Sequence, residues 1–298
     1  MTGKEGPVSE AEELDSFLAE LQRNNEIKEI AGWESGFAAL SRALNGISPG
    51  LYLLAGPPGC GKSAFAKQLL DQIARRNSVP AIFFAFSERK SDLRVRTLAR
   101  LSGLETREIG RGAGYLLHSY GVSKHQSADP NEMSLGWEKL KLVAEEAKGW
   151  LNLIYLEECD ERTTLSDIEQ RVREVRTLKK SESVMVAIDD SQRLGDANSS
   201  FEARLPLVAE SLQALAMRLD LPILATWPEL EPAQAPQRWA ERTAGANVVM
   251  VMREDAGRKH PDSTRALALH VVKNRAGEKA TLRYDFSATL AKFTEAID

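Results

Sequence analysis

Cysteine is scarce in this sequence. The chain of 298 residues contains two cysteines, Cys60 and Cys159, which is too few for a disulfide framework in a protein of this length. Disulfide-dependent proteins are mostly secreted, whereas free thiols are typical of a reducing compartment. The cysteine content therefore favours a cytosolic protein whose fold depends on a hydrophobic core.

A surplus of positive charge is also missing. The sequence has 39 lysine and arginine residues against 43 aspartate and glutamate residues, which gives a formal net charge of −4. Tight nucleic-acid binders often have a basic surplus, because contacts to phosphates supply much of their affinity. Any contact with DNA must therefore come from a local basic patch rather than from the overall charge.

No segment has the composition of a signal peptide or a membrane span. The first ten residues, MTGKEGPVSE, contain no apolar core, which a secretory signal requires. No apolar run approaches the roughly 20 residues that cross a bilayer as a helix. With 43% hydrophobic and 28% charged residues, the composition is that of an ordinary soluble domain, and we expect a cytoplasmic protein without membrane contact.

Residues 1–31 are predicted to form a separate segment. Its first eight residues are polar and predicted to be disordered, and Ser9 and Glu12 then have the spacing of a capping box at the start of a helix. The apolar stripe of this helix consists of Leu14, Phe17, Leu18 and Leu21. Because a helix this short is marginal alone, the stripe packs either on its own domain or on a neighbouring subunit. A polar linker, Gln22–Ile30, follows.

The remaining residues, 32–298, alternate between strand and helix patterns, as in a single α/β domain. Apolar runs predict strands at Leu51–Ala55, Ala81–Phe86, Asn152–Leu156, Val184–Ile188 and Pro222–Thr226. Helical patterns fall at Lys62–Arg76, Lys90–Leu101 and Phe201–Leu219, and from Ser166, where Glu169 completes a capping box. This alternation predicts a parallel sheet with helices on both faces.

The pattern changes near the end of the chain and in one internal segment. Consecutive strands are predicted at Asn247–Met252, Leu267–Lys273, Ala280–Phe286 and, more weakly, Leu290–Phe293. We therefore expect the sheet to gain an antiparallel edge. Thr106–Asn131 is polar, rich in glycine and irregular, which predicts a long functional or mobile loop.

The strongest motif lies between the first predicted strand and the first predicted helix. Residues 56–63 read GPPGCGKS and match G-x-x-x-x-G-K-[ST] at every fixed position. In this phosphate-binding loop, glycines let backbone amides turn towards the phosphates, Lys62 reaches the β and γ phosphates, and Ser63 ligates Mg²⁺. The residues expected to contact the nucleotide are Gly56, Pro57, Pro58, Gly59, Cys60, Gly61, Lys62, Ser63 and Ala64.

An enzyme with such a loop also needs a carboxylate at the end of a buried strand to hold the metal. The run Val184–Ile188 leads directly into Asp189, which we expect to act together with Ser63. The alternative is an aspartate that ends a strand and stabilises a turn. Asp190 is the weaker candidate, because adjacent side chains of a strand point to opposite sides.

Hydrolysis needs a base that orients the attacking water. Glu88 follows the run Ala81–Phe86, and we expect it at the carboxyl end of the strand beside the phosphate-binding loop. A glutamate after a strand is either a solvated loop residue or, given the loop, the catalytic base. The phosphate-binding loop favours the second interpretation.

These segments resemble the C-terminal ATPase domain of the DnaB-type replicative helicases, from about residue 32 to residue 293. Besides the phosphate-binding loop and Ser87-Glu88, the resemblance rests on Ser35–Leu40, Leu44–Gly50, Ile188–Leu194, Ser211–Ala216, Leu221–Ala225, Ala246–Asp255 and Val272–Gly277. The resemblance implies a RecA-like fold that binds ATP and Mg²⁺.

The resemblance also implies roles for four further residues. Gln192 resembles the family's sensor of the γ phosphate. Arg253 is expected to bind the nucleotide, since it is similar to the arginine that the family places near the base of the nucleotide. Lys273 and Arg275 resemble the pair that one subunit donates to the nucleotide of its neighbour. The family further implies a homo-oligomer, a ring or helical assembly such as a hexamer, with single-stranded DNA and replication proteins as partners.

The sequence departs from the family's pattern in three places. Thr226-Trp227-Pro228 replaces the family's polar residue after the fifth strand, so we do not expect this position to sense a phosphate in the same way. The loop Gly195–Ser200 has no lysine or arginine to hold DNA phosphates. The family's N-terminal domain has no counterpart here beyond the helix at 9–22.

Three hypotheses remain on these grounds. The favoured one is a stand-alone translocase or helicase that moves along single-stranded DNA. The second is a regulatory or scaffold ATPase similar to the KaiC and RadA relatives, and the third is an accessory module that hydrolyses ATP poorly and modulates a helicase. Fold and nucleotide site are common to all three.

Overall fold

The computed structural model describes residues 30–118, 135–194, 200–229, 235–258 and 264–296, together with Leu14 and Leu18. The predictions for residues 1–8, for the linker before Ile30 and for most of the loop Gly195–Ser200 lie outside these residues. Leu14 and Leu18 are helical, as predicted, and are 50% and 47% exposed. The other two members of the apolar stripe lie outside the described residues.

The strands lie close to their predicted positions. They are β1 (Gly50–Gly56), β2 (Ala81–Ala85), β3 (Ile154–Glu158), β4 (Met185–Asp189), β5 (Pro222–Pro228), β6 (Val248–Glu254), β7 (Thr264–Asn274), β8 (Ala280–Ser287) and β9 (Lys292–Glu295). The third strand begins two residues later than predicted, because helical structure continues up to Leu151.

The helices flank these strands. They are α1 (Ala38–Leu44), α2 (Lys62–Asn77), α3 (Lys90–Ser102), α4 (Thr106–Gly110), α5 (Ala113–His118), α6 (Leu135–Leu151), α7 (Leu165–Lys179), α8 (Phe201–Leu219) and α9 (Arg238–Arg242), with a short 3₁₀ turn at Ser191–Arg193. Within the described ranges, no helix combines the length and apolar character that crossing a bilayer demands.

One mixed sheet contains the described strands, in the order β3-β2-β4-β5-β1-β6-β7-β8-β9. In this order, the six strands from β3 at the edge through β6 pair in parallel. The strands from β6 through β9 pair antiparallel. The predicted parallel sheet with an antiparallel C-terminal edge is therefore confirmed. The strand before Glu88, however, is not beside β1, because β4 and β5 lie between them. Sequence order does not fix which parallel strands pair, since each crossover can pass over intervening strands.

The capping box of α7 differs from the predicted one. Thr164, not Ser166, is the N-cap, and its side chain and that of Asp167 bond to each other's backbone N–H groups. Thr164 has the extended backbone that a cap requires, whereas Ser166 already lies in the helix. Glu169 instead pairs with Arg173 and with an arginine of α8.

The segment predicted as an irregular loop at Thr106–Asn131 contains two short helices, α4 and α5, in its described part. Residues 119–134 lie outside the described ranges. Helix α6 follows and was not predicted. These helices share a small apolar cluster that includes Leu104, Leu116 and Leu140, and this tertiary packing outweighs the polar composition of the segment.

Both faces of the sheet bury apolar side chains. On one face, α1 and α2 pack against the C-terminal strands, where the ring centres of Phe65 and Phe293 lie 5.1 Å apart, as do those of Phe37 and Tyr284. On the other face, α7 and α8 cover residues such as the fully buried Trp227. The phosphate-binding loop joins β1 to α2 and is thus anchored at both ends by buried elements.

Candidate active site

Glycine is required by the backbone of the phosphate-binding loop. Gly59 and Gly61 have φ angles of +76° and +101°, a region that other residues rarely adopt. A Cβ atom on Gly56 would lie 2.6 Å from the carbonyl oxygen of Met252, so the backbone of β6 leaves no room for a side chain at this position. The fixed glycines of the motif therefore follow from local geometry as well as from ligand access.

The amino end of α2 fits an anionic ligand. Gly61 is the N-cap and supplies no side chain to bond the first amides, and the first turn contains no acidic residue. The amides of a helix start have no partner within the helix and attract anions. The loop and helix therefore present backbone donors that fit the phosphates of a nucleotide.

Lys62 lies across the loop. Its Nζ donates to the carbonyl oxygens of Gly56 and Pro57, at 2.9 and 3.0 Å, and the residue is 8% exposed. Among the described residues, this buried ammonium is held by carbonyl oxygens and pairs with no carboxylate, which favours an anion beside it.

Asp189 ends β4 and is 1% exposed. Its Oδ1 accepts a hydrogen bond of 2.6 Å from the hydroxyl of Thr226, and its Oδ2 is buried with no hydrogen-bond donor among the described residues. Burial raises the pKa of Asp189, whereas the hydroxyls of Thr226 and Ser63 act to lower it. The structure thus brings together the two predicted metal ligands, Ser63 and Asp189. Hydroxyl and carboxylate oxygens, one of them without a donor, fit Mg²⁺.

Glu88 lies one strand away from Asp189, since Ala85 of β2 pairs with Asp189 of β4. Its carboxylate pairs with Arg96 of α3, and its Oε2 is buried without a hydrogen-bond partner in the described structure. Burial raises the pKa of Glu88; Arg96 opposes this shift, and the charge of Asp189 adds to it. The predicted base and the predicted metal ligand are therefore electrostatic neighbours.

Asp190 connects the loops that follow β2 and β4. It has a left-handed backbone with φ of 57°. Its carboxylate accepts hydrogen bonds from the hydroxyl of Ser87 and from Nε2 of Gln192, the latter at 3.2 Å. Asp190 thus fixes the loops around Glu88 and holds Gln192, the predicted phosphate sensor, next to the carboxylates.

Thr226 is a site residue whose role the sequence reasoning missed. Besides donating to Asp189, its hydroxyl accepts the backbone N–H of Asp190 at 2.8 Å. Its carbonyl accepts from the hydroxyl of Ser191 at 2.8 Å. A hydroxyl residue near the end of a buried strand was the available signal, but its partner depends on the pairing of β4 with β5.

Arg253, which was predicted to bind the nucleotide near its base, lies near the end of β6 and donates to both carboxylate oxygens of Glu229 through Nε and Nη2. Glu229 is 3% exposed, accepts from Nε1 of Trp239 at 3.1 Å, and donates its backbone N–H to the carbonyl oxygen of Gly56 at 2.7 Å. Glu229 was missed, although a glutamate directly after a buried strand is the signal that identified Glu88.

Arg265 is a further residue that sequence reasoning missed. It lies at the start of β7, donates from Nη2 to the carbonyl oxygen of Gly59 at 3.0 Å, and its guanidinium carbon lies 5.1 Å from the ring centre of Phe286. Nothing in the sequence near Arg265 indicates this contact with the phosphate-binding loop.

Lys273 and Arg275 lie at the opposite ends of the strands from the loop. Lys273 donates to the carbonyl oxygens of Thr243 and Ala244, at 3.1 and 2.7 Å, and Arg275 donates to that of Ala244 at 3.1 Å. Asn274 pairs with Val248, which in turn pairs with Tyr52 near the start of β1. The loop begins at the other end of β1, about 13 Å further along the strand. One chain therefore does not bring these two cations to its own loop.

Several curated proteins are similar to this chain. The replicative DNA helicase DnaB of Buchnera aphidicola is 22% identical over 97% of this chain and 61% of its own length. The DnaB helicases of Geobacillus stearothermophilus and Pasteurella multocida are 24% and 25% identical, over 91% and 75% of this chain and 58% and 45% of their own lengths. The chain thus spans about half the length of the curated relatives it matches.

Two solved structures share the fold. A solved ATPase domain matches with a TM-score of 0.77 at 18% identity, covering 98% of this chain and all of that chain. A DnaB-like replicative helicase, solved with regard to its interactions with primase, matches with a TM-score of 0.72 at 17% identity, covering 99% of this chain and 68% of that chain. The RecA-like fold predicted from the sequence is therefore confirmed. The model of the DnaB-like helicase C terminal domain matches residues 32–295, and the chain belongs to that family.

Proposed function

We propose that this protein is an ATP hydrolase that uses Mg²⁺ and drives movement along single-stranded DNA, as a translocase or helicase of the cytoplasm. The observation on which this depends is the convergence of Lys62, Ser63, Asp189 and Glu88 at the carboxyl ends of parallel strands. Open α/β sheets bind their ligands at that edge. The curated relatives are replicative DNA helicases by name, which supports DNA and other replication proteins as partners.

In the proposed reaction, each residue has one task. Lys62 and the amides at the start of α2 bind the phosphates. Ser63 and Asp189 would hold Mg²⁺, which neutralises charge on the β and γ phosphates when bound. Glu88 accepts a proton from the attacking water. Its raised pKa suits this task, because a carboxylate whose pKa lies nearer the working pH is a stronger base. Gln192 would report on the terminal phosphate, and its contact with Asp190 beside the carboxylates supports this role.

We further propose that the site is completed between subunits of a homo-oligomer. Lys273 and Arg275 lie at the wrong end of the strands for their own loop, but head-to-tail association would present them to the loop of a neighbour. An arginine supplied in this way stabilises charge on the transferring phosphoryl group. A ring or helical assembly, such as a hexamer, meets this requirement, and the N-terminal stripe offers a docking element.

The deciding experiment is the rate of ATP hydrolysis with and without single-stranded DNA. Strong stimulation by DNA is the expected result, because a motor couples its cycle to its track. Anisotropy of a labelled single strand, measured with an ATP analogue and Mg²⁺, tests binding directly. Affinity should fall steeply with salt, since phosphate contacts dominate it. Absence of DNA binding at low salt would exclude the hypothesis of a translocase.

The alternative is a regulatory or accessory ATPase similar to KaiC and RadA, without unwinding activity. The absence of lysine and arginine from Gly195–Ser200 favours it, as does the net charge of −4. This alternative predicts ATP hydrolysis that DNA leaves unchanged.

A further inference from the structure

A pocket lies between α2, α3, α6 and β9. It has a volume of about 170 Å³, and its wall includes Asp71, Arg75, Thr97, Arg100, Trp150 and Lys292. Asp71 lies on α2 more than two turns beyond Ser63, about 12 Å along the helix axis. The pocket is therefore separate from the candidate active site.

The wall is built on a buried charge cluster of one carboxylate and two cations. Lys67 and Arg100 both pair with Asp71, and none of these three side chains is more than 7% exposed. The hydroxyl of Thr97 donates to Asp71 Oδ2 and accepts from Lys67 Nζ, both at 2.9 Å. Burial lowers the pKa of Lys67 to about 8, so the lysine is still protonated at neutral pH. Both oxygens of Asp71 are thus engaged, and the cluster keeps one positive charge.

Arg100 has more N–H donors than this cluster has acceptor atoms for them. Its Nη2 pairs with Asp71 and lies 3.3 Å from the hydroxyl of Thr97, whereas its Nη1 is buried with no acceptor in the described ranges. A buried donor without an acceptor is costly. Asp71 is the one carboxylate of the described wall and is already engaged. The wall also contains Oε1 of Gln72, which is buried without a hydrogen-bond partner among the described residues, but Nη1 of Arg100 does not donate to it. Nη1 is therefore left for an acceptor that enters the pocket.

The mouth of the pocket adds two exposed cations. Arg75 lies over Trp150, with its guanidinium carbon 5.9 Å from the ring centre, and Lys292 is the residue of β9 in the wall. Counting the residues of the wall together with Lys67, positive charges outnumber negative ones four to one. This imbalance favours an anionic occupant.

We propose that this pocket binds a small phosphate-bearing anion, held by Arg100 inside and by Arg75 and Lys292 at the mouth. The arginine fork matches the oxygens of a phosphate, which also supply the acceptor that Nη1 of Arg100 needs. The volume is below the roughly 300 Å³ at which sites for drug-sized ligands begin. The bound group is therefore the size of phosphate or pyrophosphate, either free or as the end of a nucleotide whose remainder stays outside.

The test is isothermal titration calorimetry of the full chain with Lys62→Ala, which disables the phosphate-binding loop. The separate probes are inorganic phosphate, pyrophosphate and adenosine monophosphate. We expect at least one probe to bind, and its affinity to fall about tenfold with Arg75→Met and further with Lys292→Met added, since each change removes a charged contact. The probe that binds most tightly distinguishes free phosphate from nucleotide phosphate.

Arg76→Met is the matched control, because Arg76 is the next residue on α2 and pairs with Glu34 instead. It should bind like the parent. Binding should also change the emission of Trp150, and this signal should disappear with Trp150→Phe while the heat of binding remains. The proposal is overturned if none of the probes gives heat, or if Arg75→Met with Lys292→Met binds as the parent does while melting at the parent temperature.

Discussion

The hydroxyl of Thr226 donates to Oδ1 of Asp189 at 2.6 Å and accepts the N–H of Asp190 at 2.8 Å. One side chain of β5 thereby fixes both aspartates at the end of β4. Because Oδ1 is engaged, Oδ2 of Asp189 is the oxygen left for a metal. One of the three positions at which the sequence was expected to depart from the family's pattern therefore acts on the predicted metal ligand.

Thr226→Val should weaken the use of Mg²⁺. Residues that orient a metal ligand typically contribute about 10- to 100-fold to affinity or activity, so we expect the Mg²⁺ concentration for half-maximal hydrolysis to rise by about tenfold or more. Thr226→Ser keeps the hydroxyl and should stay near the parent. A titration of hydrolysis with Mg²⁺ checks this, and an unchanged midpoint in Thr226→Val would contradict it.

Lys62→Ala and Glu88→Gln should separate binding from chemistry. Lys62→Ala removes the buried cation of the loop, so both ATP binding and hydrolysis should be lost or weakened. Glu88→Gln removes the base while preserving shape, so binding should stay near normal while hydrolysis collapses. Fluorescent nucleotide binding and phosphate release measure the two effects. Hydrolysis by Glu88→Gln at the parent rate would show that Glu88 is not the base.

The pH dependence of hydrolysis should report Glu88. Burial raises the pKa of Glu88, and Arg96 offsets only part of this rise. The ionised carboxylate is the form that acts as the base. Activity should therefore fall as pH drops through a value above the usual glutamate pKa of about 4.3. Arg96→Met removes the opposing charge, so the acid limb should move to higher pH.

Arg94→Met is the control for this measurement, because Arg94 is an exposed arginine of the same helix. It should leave the profile of kcat against pH unchanged. An acid limb that stays in place in Arg96→Met would mean that another group controls it.

Arg275→Ala should bind ATP but hydrolyse it about 10³-fold more slowly or worse, the usual loss when an arginine donated by a neighbour is removed. Mixing it with Lys62→Ala should restore activity, because a mixed interface can pair an intact loop with an intact Arg275. Steady-state hydrolysis of the two variants, alone and mixed, is the measurement.

Lys279→Ala removes an exposed cation a few residues beyond Arg275 and should hydrolyse ATP like the parent. Failure of the mixture to recover activity would argue that each subunit completes its own site. Light scattering that shows a monomer with ATP and Mg²⁺ would exclude the shared site altogether.

Local patterns predicted much of this molecule. The phosphate-binding loop follows from a motif whose glycines have local conformational reasons, and the bounds of α8 (Phe201–Leu219) agree with the prediction because its apolar spacing is regular. The strand order was not accessible in this way, and the expectation that the strand before Glu88 lies beside the loop was wrong.

The contacts that sequence reasoning missed join distant parts of the chain. Thr226 meets Asp189 only because β5 pairs with β4, and Arg265 reaches Gly59 across 206 residues of sequence. Neither contact has a local pattern, since each is set by the register of the sheet. The pair of Glu229 with Arg253 likewise depends on where β5 and β6 end.

Helix α3 has two arginines one turn apart, and each is bound to a different carboxylate. Arg96 contacts Glu88, and Arg100 contacts Asp71. Because both arginines move with one rigid backbone, a small shift of α3 that loosens one ion pair also alters the other. Helix α3 therefore links the buried charge cluster at Asp71 to Glu88, the proposed base, through two ion pairs on a single helix.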